Sequence, residues 1–179
     1  MEVCPTFQSI LDELKIPCTD LSGGATGPIR AVALYDSALE APRTDVLYVS
    51  ESGDLEPPSE GAPLFFICCG EPDAALIAAH KIAFIPEKIP LQRVFNDALR
   101  SFFRINAWIL ELQRSVIEQR GVQDLLDRSE FIITNTTTVL DSSLKLLAYT
   151  KHILPDDPPN IYLFEHGFHS AETLEKFRK

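Results

Sequence analysis

The 179-residue sequence is short of basic charge: 16 lysines and arginines face 26 aspartates and glutamates, a formal net charge of −10. An acidic surface repels phosphate backbones, which argues against nucleic-acid binding by these residues themselves. Long apolar runs are missing, none approaching the ~20 residues that a membrane helix needs. The opening MEVCPTFQSILDELK carries acids early and has no apolar stretch leading to a small-residue cleavage site. No signal peptide is therefore expected, and the protein reads as cytoplasmic. Cysteine is scarce: Cys4, Cys18, Cys68 and Cys69 form no C-x-x-C pair and no zinc-spaced Cys/His set. There is no G-x-S-x-G elbow, no H-E-x-x-H, and no nucleophile with a base close by in sequence. Hence no catalytic residue, metal or cofactor is expected, and the chain is not read as an enzyme.

What is present is an ordinary globular composition, 45% hydrophobic and 23% charged, too apolar for disorder. Residues 1–90 alternate short helical and strand-like pieces. Phe7, Ile10, Leu11 and Leu14 recur at helical spacing after Thr6, a suitable cap, and that helix ends before Pro17. A glycine-bearing loop, SGGATGP, precedes a strand expected over Ile29 to Tyr35. VLYVS at 46–50 and LFFICC at 64–69 are β-branched or aromatic runs with turn residues at their ends, as buried strands require. Between them lies the acidic, proline-containing connector ESGDLEPPSEGAP. PDAALIAAHK then reads as a helix with Asp73 in its first turn, and IAFIP as a strand. Strands alternating with helices predict an α/β domain.

From Leu91 to Arg120 there is neither glycine nor proline, so a helix of up to 30 residues is possible. Leu91, Phe95, Ala98, Phe102, Ile105, Ile109, Leu112 and Val116 follow one another in steps of 4 and 3, an unbroken heptad stripe. Val94, Leu99, Phe103, Trp108, Leu110 and Ile117 widen the apolar surface beyond one seam. Only Asp97, Arg100, Arg104, Glu111, Arg114 and Glu118 keep a polar stripe. Such a helix buries two sides, one against its own domain and one against a partner. The eight heptad positions are thus the expected homodimer interface, the alternative being a central helix within one monomeric core. Gly121 interrupts, and VQDLLDRS forms a short second helix over the end of this 91–128 segment.

Residues 129–179 change character. FIITN, TTVLD and LKLLAYT read as three strands, with Asp141-Ser142-Ser143 as turn chemistry, and PDDPPN as a proline-broken loop. Ser170 caps a last helix, AETLEKFRK, with Lys176, Arg178 and Lys179 in its final turn. About 50 residues of this kind do not close a stable sheet domain unaided, so a domain cut short is expected.

Other constellations favour structural roles. SGGATGP lacks the lysine of a phosphate-binding P-loop and opens no periodic helix. His166 and His169 have no carboxylate or cysteine at ligand spacing and read as loop and surface residues. Asp141 is placed to bond backbone N–H groups two residues on, while Asp156, Asp157 and Glu165 read as solvated. Cys68 and Cys69, on one strand, are expected on opposite faces as buried small hydrophobes rather than a redox pair.

In their order these pieces resemble the N-terminal sensory region of purine-catabolism-regulator type transcription factors, relatives of the sugar-diacid regulators. The similarity is carried by LYVS at 47–50, PLFFICCGE at 63–71, IPLQRVFNDALRSFFRINAWILEL at 89–112, GVQDLLDRSEFIITNTTTVLDSSLKLLAYT at 121–150 and LFEHGFHSAETLEKFRK at 163–179. The resemblance implies an α/β N-terminal domain (1–90), a connecting and dimerising helical segment (91–128), and the truncated start of a PAS- or GAF-like α+β sensor domain (129–179). It also implies a ligand-responsive regulatory module that works as a homodimer. Its small metabolite is unnamed, and DNA is reached only through a C-terminal helix-turn-helix that this sequence does not contain. The alternative is a stand-alone protein-binding scaffold without a small ligand.

Overall fold

The computed structural model describes residues 3–25, 27–38, 42–55, 62–86 and 88–177. The chain forms two compact units, Met1–Ile109 and Leu110–Lys179, and the division falls inside its longest helix.

The first unit is an α/β fold. Helix α1 (Phe7–Asp12) starts where expected, with Thr6 and Ser9 forming a reciprocal capping box. Strands β1 (Thr19–Asp20), β2 (Ala31–Leu34), β3 (Val46–Glu51) and β4 (Phe65–Cys69) follow, then α2 (Ala74–Ala79) and β5 (Lys81–Ile85). They make one mixed sheet in the order β1-β5-β4-β3-β2. Strands β2 to β5 run parallel, and β1 pairs antiparallel with β5. The two-residue β1 is too short to show a period in sequence and was not anticipated. Asp73 stands one step earlier than expected: it is the N-cap of α2, its carboxylate accepting the Leu76 N–H at 2.9 Å.

The apolar runs form the central strands because both sheet faces are covered. Leu47, Val49, Ile67, Cys69, Ala83 and Ile85 face a core shared with Phe7, Ile10 and Leu11 of α1. The long helix α3 (Leu91–Ile117) adds Val94, Ala98 and Phe102 to that core. On the other face Val46, Tyr48, Phe66, Cys68 and Ile82 meet Leu55, Leu64 and Leu76 of α2. Strand alternation thus sends Cys68 and Cys69 to opposite cores, as expected.

The second unit begins with the end of α3. Gly121 adopts a φ of +91°, a conformation side-chain-bearing residues avoid, and starts α4 (Val122–Asp127). Strands β6 (Thr138–Leu140) and β7 (Leu146–Tyr149) form a two-stranded antiparallel sheet. At their turn Asp141 accepts from the backbone N–H groups of Ser143 and Lys145, the predicted turn chemistry. Helices α5 (Pro158–His166) and α6 (Ala171–Phe177) complete the unit.

Three readings of this stretch need correction. FIITN is a turn, because the Ser129 carbonyl accepts the N–H groups of both Ile132 and Ile133. PDDPPN opens α5 rather than forming a broken loop: proline is tolerated in a first turn, where its missing N–H is not needed. Asp157 caps that helix, accepting the Asn160 N–H at 3.0 Å, and is not simply solvated. Ser170 does receive the Thr173 N–H, at 3.3 Å. Part of the acidic connector (56–61), Thr26 of the glycine loop, and Arg178 and Lys179 lie outside the described residues.

Candidate functional site

Helix α1 ends at its C-cap Glu13. Pro17 cannot continue a helix, and the amides of Lys15 and Ile16 before it need an acceptor. Asp97, on the second turn of α3, supplies it. Its Oδ2 accepts the Lys15 N–H at 2.8 Å and the Ile16 N–H at 3.2 Å, across 82 and 81 residues of sequence. One turn on, the Ser101 hydroxyl donates to the Glu13 carbonyl at 3.1 Å, and Arg104 Nη1 lies 3.0 Å from Glu13 Oε2. Asp97 had been expected on the solvent-facing stripe of the helix. It is only 6% exposed, because its carboxylate replaces the helical partners that the end of α1 lacks.

Beside this seam lies a groove of about 400 Å³, with the 15–16 segment on one side and Pro90 and the first turns of α3 on the other. Three cations line it: Lys15, Arg93 and Arg100. The amides Gln92 and Asn96 stand between them, a donor and an acceptor each. Asp97, the one carboxylate in the lining among the described residues, is committed to backbone, and Arg100 Nη1 approaches its second oxygen at 3.4 Å. The groove is thus polar, open to solvent and positive within a chain of net charge −10. Arg93, Asn96 and Arg100 share a face through their 3- and 4-residue spacing. That spacing is readable in sequence, but the contribution of Lys15 is not.

The expected homodimer stripe is largely spent within the chain. Ala98 and Phe102 belong to the core of the first unit, with Leu91 and Phe95 packed against it. Ile105 and Ile109 are buried, Leu112 is half-buried, and Val116 alone stands open, at 63%. A different line of α3 is exposed at seven-residue intervals: Phe103 at 59%, Leu110 at 62% and Ile117 at 79%.

The remaining sequence candidates have structural roles. Burial pushes the Cys68 thiol up to about 12, with Cys69 adding to the effect, and burial with the nearby Glu51 takes Cys69 to about 11. Neither forms a thiolate at neutral pH. In the glycine loop Asp20 accepts the Ser22 N–H and the Ser22 hydroxyl accepts that of Ala25, ordinary turn bonding. His166 stacks on Tyr162 with ring centroids 4.0 Å apart, whereas His169 is buried rather than on the surface. Among the described residues no three His, Cys, Asp or Glu side chains gather as metal ligands, and no helix is long and apolar enough to cross a membrane. Compared with protein-family models, curated proteins and solved structures, the chain matches none.

Proposed function

We propose that this chain is the ligand-responsive, homodimeric input module of a helix-turn-helix transcription regulator, acting in the cytoplasm on a reader domain outside these residues. One observation carries the reading: the cationic groove is built on the first turns of a 27-residue helix whose far end opens the second unit. A ligand on Arg93 and Arg100 touches the helix itself. It biases the output to the extent that it binds two arrangements of that helix with different affinity. The hairpin and flanking helices of the second unit support reading it as the start of a PAS- or GAF-like domain.

The homodimer in this reading uses Phe103, Leu110 and Ile117, since the other stripe is occupied by the chain's own packing. Sedimentation velocity should give a dimer mass, and Phe103→Glu with Leu110→Glu should reduce it to a monomer while the fold persists. An unchanged mass in the double variant removes the homodimer. A metabolite screen by thermal shift should raise Tm, because a ligand of the native state must stabilise it. The same three exposed side chains also favour a second reading, a scaffold that docks another protein. That reading leads if no metabolite moves Tm and the chain is monomeric.

A further inference from the structure

We propose that the groove binds a small oxyanion carrying two or more negative charges, held chiefly by Arg93 with Arg100 and Lys15 beside it. This deepens the ligand-responsive reading, on which its regulatory consequence rests.

Charge accounting singles out Arg93. Arg30 and Arg43 both meet Asp45, Arg104 meets Glu13, and Arg114 and Arg120 meet Glu118. Arg128 meets Asp124 and Glu111, and Arg100 meets Asp97. Arg93 has no carboxylate partner among the described residues, in a chain where acids outnumber bases by 26 to 16. It stands at the groove, where the lining carboxylate among the described residues, Asp97, is turned away onto the Lys15 and Ile16 amides. The 3.4 Å approach of Arg100 to Asp97 is long for a charge-assisted bond, so this guanidinium retains donors for a second acceptor. Asn96 and Gln92 add neutral donors along the same wall. Guanidinium forks match carboxylate and phosphoryl oxygens in pairs.

Size and net charge select the ligand further. A groove of about 400 Å³ suits a compact molecule. The field of a chain at −10 opposes an extended polyanion such as a nucleic acid, whose phosphates would overhang the groove onto acidic surface.

The test titrates the full chain with inorganic phosphate and, separately, with malonate, at ionic strength held constant with sodium chloride. Tm and calorimetric heat are read together. At least one of the two should saturate as a single site, and the arm that does so identifies phosphoryl or carboxylate chemistry. Arg93→Glu should weaken it by about tenfold or more, the loss of a charge-assisted pair. Lys145→Glu, an equal charge change at the turn of the second unit, should leave it intact. Arg93 is exposed and has no ion-pair partner among the described residues, so the variant should fold, which far-UV circular dichroism checks. Saturation by neither anion overturns the proposal, as does equal weakening by both substitutions. Failure of the regulatory reading looks different: the anion binds through Arg93, yet the sedimentation mass and the exchange protection of α3 do not change.

Discussion

The two units are stabilised by different means. In the first, a five-stranded sheet is covered on both faces, and Phe7, Ile10, Leu47, Phe66, Ile67 and Ile82 are at most 1% exposed. In the second, the buried hydrophobic side chains among the described residues are Ala148 and Leu163, while Leu110, Ile117, Leu147, Leu154 and Phe168 stand in solvent. Polar contacts hold it instead. Gln123 brackets Tyr149, donating to its carbonyl at 2.9 Å and accepting its N–H at 3.1 Å. Asp124 takes the Ser115 hydroxyl and Arg128, and Asp127 takes Lys151. Burial of apolar area is the larger and less directional term, whereas exposed ion pairs contribute little each. The first unit should therefore outlast the second, and the second should answer more sharply to salt and acid.

The largest expected effect that separates them is Phe66→Ala. The ring sits among Tyr35, Tyr48 and His80, and its loss should cost the first unit about 3–5 kcal/mol in urea unfolding. A loss no greater than that of a polar substitution in the second unit would break the comparison. Gly27→Ala comes next: a Cβ there would overlap the buried Phe65 ring, and overpacking of this kind costs about 1–3 kcal/mol. Its calorimetric signature should be confined to the first unit. Gln123→Leu leaves both backbone groups of Tyr149 unmatched and should cost the second unit about 1–2 kcal/mol. Faster hydrogen exchange at Tyr149, with no change at Ile67, is the result that supports it.

Acid sharpens the contrast, with smaller effects. Burial holds the His80 pKa below its ordinary 6.5. The neutral ring is the native form, its Nδ1 accepting the Leu64 N–H at 3.3 Å. The folded state therefore binds this proton less readily than the unfolded chain, and the first unit loses stability as pH falls below about 6.5. In the second unit, hydrogen bonds from Arg128, then Ser115, hold the Asp124 pKa below 3.8, and Lys151, then Gln123, do so for Asp127. Their contribution is present above 3.8 and disappears as pH drops through the lower folded values. Two separate acid transitions by calorimetry are expected, with His80→Gln removing the first. One common transition would contradict the division.

Short-range patterns made much of this fold legible. Thr6 as a cap, the apolar runs of β3 and β4, the turn at Asp141 and the stop at Gly121 all depend on neighbours within a few residues. Misreadings arose where a local feature had a second use. The prolines of PDDPPN end helices in general but here begin one, and the apolar FIITN is turned by hydrogen bonds to Ser129. The groove was less visible. Arg93, Asn96 and Arg100 share a helical face, yet nothing near Lys15 announces that it completes the wall.

The sequence by itself determined the alternation of strands and helices, the long helix with its two apolar lines, and the acidic balance of the chain. Those follow from residue chemistry repeated at the periods of backbone geometry. Only the tertiary structure decided which line of α3 its own core consumes and which remains open. It also decided that Asp97 is spent on amides some eighty residues away, and that Arg93 is left at the groove with no carboxylate partner among the described residues. The physical reason is that periodicity specifies a face without naming its neighbour, and pairing over such separations is settled only when the sheet and its covering helices close around one core.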